Sequence, residues 1–225
     1  MKRIALTFDD GPGPDTDALV RFLVDENAGA TFFLQGEHCE QRPDVVRLMA
    51  ESAGIEVATH SHTHPDLQLL DDEDIRTELE RSIRVVTELT GLAPTLFRPP
   101  RGHRNRRVDR VARELGQSVI LWTVNSRDYK EGHSASRQVL GEARAGDIVL
   151  LHDTHRSTVE ATRELVPALK NRGFELVTVS ELLGACAPGR VYRGRNGAKV
   201  RFSRWRRLQV LRVRRRGAML RHRAG

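Results

Sequence analysis

Cysteine is almost absent: Cys39 and Cys186 are the only two in 225 residues. Two thiols cannot make a disulfide framework or a four-thiolate zinc site, although one bridge between them stays open. No apolar run approaches the ~20 residues of a bilayer-spanning helix, which excludes an integral membrane protein. The ~7–15-residue apolar core of a secretory signal is missing too. Met1-Lys2-Arg3 is followed only by Ile4-Ala5-Leu6-Thr7-Phe8 before two aspartates, a pattern that predicts a strand. Either the protein stays inside the cell, or an export segment lies outside this chain. Hydrophobic residues at 39% suffice for a core, so wholesale disorder is excluded as well.

Acidic residues are missing from one end. None follows Glu181, whereas residues 188–225 carry fourteen arginines and lysines. With a total of +7, those fourteen cations leave residues 1–187 at −7. The chain therefore reads as an acidic body, 1–187, followed by an Arg-rich tail, 188–225, and the basic character belongs to the tail. Like-charge blocks are usually solvated, flexible extensions. The alternative is an anchor on an anionic surface, where Phe202, Trp205, Leu208, Val210, Leu211 and Val213 between the arginines could form a basic amphipathic helix. No motif for specific nucleic-acid binding accompanies it.

Within the body, short apolar runs at 4–8, 31–34, 55–58, 96–97, 118–122, 148–151 and 175–179 predict seven strands. Helix-period segments lie between them. Thr16 is placed to cap one, Pro43 to open a second, and Asp71 to open a third that Gly91 closes; others are expected over 106–115, 135–144 and 158–171. Strands alternating with helices argue for parallel strands joined by crossovers. Seven units in fewer than ~190 residues are too compact for an ordinary eight-fold barrel of ~250. The fold expected is α/β, a distorted, incomplete (β/α) barrel of about seven parallel strands, with a doubly wound sheet as the alternative.

In either architecture the working residues gather beyond the carboxyl ends of the strands. Asp9 and Asp10 follow the first strand, His60 and His64 the third, and Arg98 the fourth; Asp128 comes shortly after the fifth, and His152 closes the sixth. Adjacent carboxylates leaving a strand point in different directions, so one can ligate a metal while the other stays free as a base. In His60-Ser61-His62-Thr63-His64, the outer pair can face one side of a helical turn and reach a single ion, with His62 pointing elsewhere. Two imidazoles and one carboxylate make the three-ligand set of a hydrolytic zinc site, which leaves a position for water. Arg98, stiffened by Pro99-Pro100, is suited to holding a carboxylate charged and in place. His152 can protonate a leaving amine near neutral pH.

The ordered set Thr7-Phe8-Asp9-Asp10-Gly11-Pro12, His60-Ser61-His62-Thr63-His64, Phe97-Arg98-Pro99-Pro100-Arg101-Gly102 and Leu150-Leu151-His152 resembles the polysaccharide deacetylases of carbohydrate esterase family 4, the NodB-homology domain, over residues 2–184. The resemblance implies a distorted barrel and hydrolysis of N-acetyl groups on the amino sugars of a glycan such as peptidoglycan or chitin. It makes Asp10, His60 and His64 ligands of one divalent ion, most often zinc, with cobalt or manganese as substitutes. It makes Asp9 the base toward the attacking water, oriented by Arg98, and His152 the acid, tuned by Asp128. Leu150 would line the acetyl pocket, and the Arg101 main-chain N–H would hold the oxyanion. It also implies a place in the cell envelope or outside the cell. An acetylxylan-type O-acetyl esterase is the rival activity, and a non-catalytic glycan- or surface-binding module the rival class.

Four positions depart from the family pattern. Asn125 replaces a frequent aspartate, Tyr129 a tryptophan beside Asp128, and Ile55 a histidine before Glu56. Arg101 stands where tyrosine is common, which puts a cation beside the groove and predicts a preference for carboxylate-bearing glycans, such as those with muramic acid, over neutral chitin.

Overall fold

The first strand, β1 (Lys2–Asp9), is the spine of the computed structural model, which describes residues 2–194. Around it lie β2 (Ala30–Leu34), β3 (Ile55–Thr59), β4 (Leu96–Phe97), β5 (Ser118–Ile120), β6 (Val124–Asn125), β7 (Ile148–His152), β8 (Phe174–Leu176) and β9 (Val191–Tyr192). The spatial order is β6-β7-β1-β2-β3-β4-β5-β9, with β8 against the first residues of β1. All of these pairings are parallel. The seven expected strands are present, with the fifth ending at Ile120 and the last shifted to Phe174–Leu176. The two-residue strands β6 and β9 raise the count to nine among the described residues. Both are as short as β4, which the apolar pair Leu96-Phe97 marked.

β5 and β6 are separated by Leu121, Trp122 and Thr123 only, yet β5 pairs with β4 and β6 pairs with β7. One bent segment thus links β6 at one end of the curled sheet to β5 near the other, giving a distorted, open barrel. β9 lies on β5, with Val119 opposite Val191 and Ile120 opposite Tyr192, and Gly194 bridges back to Asp147. Val191, Tyr192 and Gly194, which fall in the segment assigned to the tail by charge, therefore pair with the sheet. The rest of the tail, including the 202–213 stretch, lies outside the described residues.

Helices α1 (Thr16–Asp25), α2 (Gly36–Gln41), α3 (Pro43–Glu51), α4 (Asp72–Thr90), α5 (Arg106–Glu114), α6 (Ala135–Glu142), α7 (Arg156–Asn171) and α8 (Val179–Leu183) fill the crossovers. The start and stop signals work where the geometry allows. Pro43 opens α3, Asp71 accepts the Asp74 N–H at the start of α4, and Gly91 closes α4 at φ 73°. Thr16 departs from expectation: it is the first residue of α1, and its hydroxyl is committed to the Gly13 N–H and to Asp153 Oδ2 (2.5 Å). Helix α2 is a surprise, because Gly36-Glu37-His38-Cys39-Glu40-Gln41 has no apolar period. No described helix is long and apolar enough to cross a membrane. Both cysteines are free thiols, and burial pushes the pKa of Cys39 up to about 12.

The buried interior forms three clusters, one of them under α4 and α5 with Ile75, Leu79, Phe97 and Val111, and strand alternation separates the other two. Ile4, Leu6 and Phe8 of β1 join Phe32, Leu34, Val149 and Leu151 in a large core that also takes in residues of α1, α3 and α7. Ala5, Phe33, Ala58, Leu96, Ile120 and Ile148 form the core inside the curl, with Val177, Val179 and Leu182. β8 wedges in beside the start of β2: the Gly29 N–H donates to Leu176 O at 3.0 Å, and a Cβ at Gly29 would stand 2.7 Å from Val177 Cα. The obstructing atoms are backbone. Gly29→Ala is expected to lower unfolding stability by about 1–3 kcal/mol, as overpacking does. Urea denaturation with an unchanged midpoint would refute the close approach.

Candidate active site

The inner parity of each strand delivers the chemistry to one mouth. Two residues beyond Ala5 and Thr7 comes Asp9; two beyond Ala58 comes His60; two beyond Leu96 comes Arg98; and two beyond Ile148 and Leu150 comes His152. Arg98 is fully buried. Its Nε donates to Ile120 O (3.2 Å), and one guanidinium amine donates to Thr7 Oγ1 (2.8 Å) and to Asp9 Oδ1 (2.6 Å). The guanidinium lies 4.0 Å above the Phe33 ring. Burial pulls the Arg98 pKa below its ordinary value, against the opposing charge and hydrogen bond of Asp9. With Oδ1 engaged, Asp9 turns Oδ2 toward the mouth, 3.8 Å from His60 Nε2.

Asp10 would face the other way if β1 simply continued. Its φ of 73° turns the chain instead, and the turn is pinned from β2 and α2. Gln35 Nε2 donates to Asp10 Oδ1 (3.3 Å), His38 Nδ1 to the Asp10 carbonyl (2.7 Å), and the Gln35 N–H to Gly11 O (3.0 Å). Asp10 Oδ1 then lies 3.4 Å from Nε2 of both His60 and His64, and the three donor atoms are within 4.8 Å of one another. Burial raises the Asp10 pKa, but His60 first, then His152 and His64, outweigh it and hold the carboxyl well below the ordinary range.

The histidines do not meet on a helical turn. Residues 60–64 form an irregular bend in which Ser61 and His64 adopt φ of 63° and 61°. Left-handed residues, not helical spacing, bring the rings to 5.0 Å. His62 turns away, with Nε2 3.8 Å from Glu40 Oε2, and its ring crowds Gly36, where a Cβ would stand 2.3 Å from Nδ1.

The donor set fits a divalent cation. His60 Nδ1 is 2.6 Å from the Arg98 carbonyl, which only accepts, so Nδ1 carries a proton and Nε2 is the ring atom that faces Asp10. Burial, then His60, lowers the pKa of His64 and favours its neutral form. Two imidazole nitrogens and a carboxylate oxygen converge on one point, where a single cation could take all three. Two nitrogens and one oxygen beside an open cavity make a three-donor set that leaves room for a further ligand.

Across the mouth, His152 Nδ1 is 2.8 Å from Asp128 Oδ1. Asp128 Oδ2 accepts the His152 main-chain N–H (2.6 Å) and the Thr158 hydroxyl (2.8 Å). Burial opposes a charged His152, yet the hydrogen bond and charge of Asp128, with Asp9 and Asp10, raise its pKa to about 9. Tyr129 stands edge-on to His152 at 5.7 Å, and Asn125 Nδ2 reaches its hydroxyl at 3.5 Å. Leu150, Trp122 and Arg101 complete the lining of a cavity of about 280 Å³ that holds Asp9, Asp10, His60, His64 and His152. Arg101 occupies a left-handed turn at φ 56° on the rim, where a Cβ at Gly102 would strike Trp122 at 2.7 Å. A larger depression of about 430 Å³ between α4 and α5 is bridged by the Arg76–Glu114 and Arg110–Asp72 ion pairs and has no such donor set.

Sequence reasoning missed Gln35, His38, Trp122 and Asp153. The Asp153 carboxylate lies under the turn after Asp10, where a Cβ at Gly11 would be 2.2 Å from its Oδ2, and burial raises its pKa to about 6. The motif of Asp-Asp-Gly-Pro-Gly pointed to this turn, though not to what lies beneath it.

A family model described as polysaccharide deacetylase matches residues 1–120. The chain is 37% identical over 186 residues to the peptidoglycan-N-acetylglucosamine deacetylase PgdA of Listeria monocytogenes, covering 81% of this chain and 39% of that protein. It is 34% identical over 186 residues to the peptidoglycan-N-acetylmuramic acid deacetylase PdaC of Bacillus subtilis, with the same coverage of 81% and 39%. The chain thus spans about 39% of the length of these curated relatives. A solved structure described as a T48 deacetylase with substrate superposes with a TM-score of 0.80 at 33% identity, covering 85% of this chain and 96% of that one.

The His152–Asp128 pair gives a pH prediction. The folded-state pKa lies above the ordinary 6.5, so the pair stabilises the fold fully below pH 6.5, and this is lost as pH rises through about 9. An NMR titration of metal-free protein should show His152 titrating near 9 and falling toward 6.5 in Asp128→Asn. An unchanged pKa in that variant would show that Asp128 does not support the imidazolium.

Proposed function

The chain belongs to the polysaccharide deacetylase family, and from that premise we propose that it is a metal-dependent hydrolase removing N-acetyl groups from amino sugars of a peptidoglycan-type glycan. One observation carries this reading: a carboxylate with two imidazoles, a second carboxylate fixed by a buried arginine, and a carboxylate-supported histidine line one cavity of about 280 Å³.

Asp10, His60 and His64 would hold one divalent ion, zinc by preference and cobalt or manganese as substitutes. When bound, the ion supplies Lewis acidity toward the acetyl carbonyl and the attacking water. Asp9 accepts that water's proton at Oδ2, because Oδ1 is held by Arg98. The Arg101 main-chain N–H faces the developing oxyanion. His152, with Nδ1 on Asp128, donates the Nε2 proton to the departing nitrogen as the C–N bond breaks, leaving acetate and a free amine. Leu150 and Trp122 shape the wall for the acetyl methyl. The Arg101 side chain favours a sugar that carries a carboxylate, as muramic acid does, and Tyr129 borders the same groove.

The test is acetate release from N-acetylglucosamine oligomers, peptidoglycan fragments and acetylxylan. Chelation should abolish release and zinc or cobalt restore it. Asp9→Asn should cut turnover about 10²–10⁴-fold while retaining stoichiometric metal. Full activity in that variant, or indifference to chelation, would remove the mechanism; release from acetylxylan alone would favour the ester reading. Arg101→Tyr should lower the preference for muramic-acid-containing fragments over neutral oligomers, and an unchanged ratio would remove that selectivity role.

A further inference from the structure

Glu78 on α4 is a carboxylate committed to the ligand-bearing loop. Its Oε2 accepts the main-chain N–H of His62 and of Thr63, both at 2.9 Å, and its Oε1 accepts the Thr63 hydroxyl at 2.8 Å. The neighbouring cations on the same helix are engaged elsewhere, Arg76 with Glu80 and Glu114, and Arg81 with Glu40. From the opposite side, the carbonyls of Ser61 and His62 accept the N–H groups of Gly36 (3.1 Å) and Glu37 (3.0 Å), the first residues of α2. The loop between His60 and His64 is thus gripped by an acceptor on one side and donors on the other. It needs the grip, since Ser61 and His64 both occupy the left-handed region that L side chains avoid.

We propose that Glu78 is the positioning residue of the metal centre, holding the 61–64 turn in the one conformation that aims His60 and His64 at a common point. It sets affinity for the ion without touching it. Charge-assisted bonds from an ionised carboxylate to backbone amides are stronger than neutral ones, and an acceptor-only group matches three converging donors. A glutamine of the same length can accept both amides at its carbonyl and donate its NH₂ to the Thr63 hydroxyl, so it keeps the contacts and loses the charge. This inference rests on the metal reading above, and two controls keep the failures apart.

The experiment is zinc titration of the whole chain against a chromophoric chelator, with cobalt absorption spectra in parallel. Glu78→Ala should weaken zinc binding about 10–100-fold and alter the cobalt bands while far-UV circular dichroism stays unchanged. Glu78→Gln should recover part of the affinity. Wild-type affinity and spectrum in a folded Glu78→Ala protein would overturn the assignment. If that variant does not fold, Glu78→Asp, one methylene too short to reach both sides of the turn, decides alone, weakened binding supporting the role and wild-type binding overturning it. A native chain that binds neither ion refutes the metal centre itself and this inference with it, whereas tight native binding with unaffected variants refutes only Glu78.

Discussion

A guanidinium buried inside the curl is the constraint around which the site is organised. Arg98 has no solvent exposure, so its charge is tolerable only because Asp9, Thr7, Ile120 O and the Phe33 face surround it. Replacing water around an ion costs several kcal/mol unless a partner with good geometry replaces it. The same contacts that make the arginine tolerable immobilise Asp9. A carboxylate tied at one oxygen has a single free oxygen and a single direction in which to use it. The arginine's own carbonyl holds the His60 Nδ1 proton, so one residue orders both carboxylate and imidazole.

Much of this was legible in the chain because β-strands are short rulers. Ala5 and Asp9, Ala58 and His60, Leu96 and Arg98, and Ile148 and His152 share a parity, so polar groups two residues past an apolar inner position had to enter the same mouth. The ordered motifs then carried the family, and the comparisons agree. The expected sheet, its parallel sense and its distorted curl follow from the same alternation of strand and helix.

What escaped the sequence was geometry made by tertiary contact. Asp10 and His64 reach the common point through left-handed backbone, which non-glycine residue types do not announce, and the helical spacing of His60 and His64 led to the wrong local structure. Helix α2 has no apolar stripe because it exists to hold two loops. Its Gly36 and Glu37 amides, with Gln35 just ahead, bind turns that are distant in sequence. β6, as short as β4, lacks the apolar pair that marked it, and the charge of residues 188–194 hid the pairing of Val191, Tyr192 and Gly194 with the sheet.

The bend at Leu121, Trp122 and Thr123 has a consequence for diversification. It joins the strand beside β4 to the strand beside β7, so both flanks of the mouth are gauged by one three-residue span. A change in its length would fall first on Asn125 and then on Asp128, the partner of His152. The ion-holding edge, carried by β1 and β3, would be untouched. Caliper and anvil are separate parts.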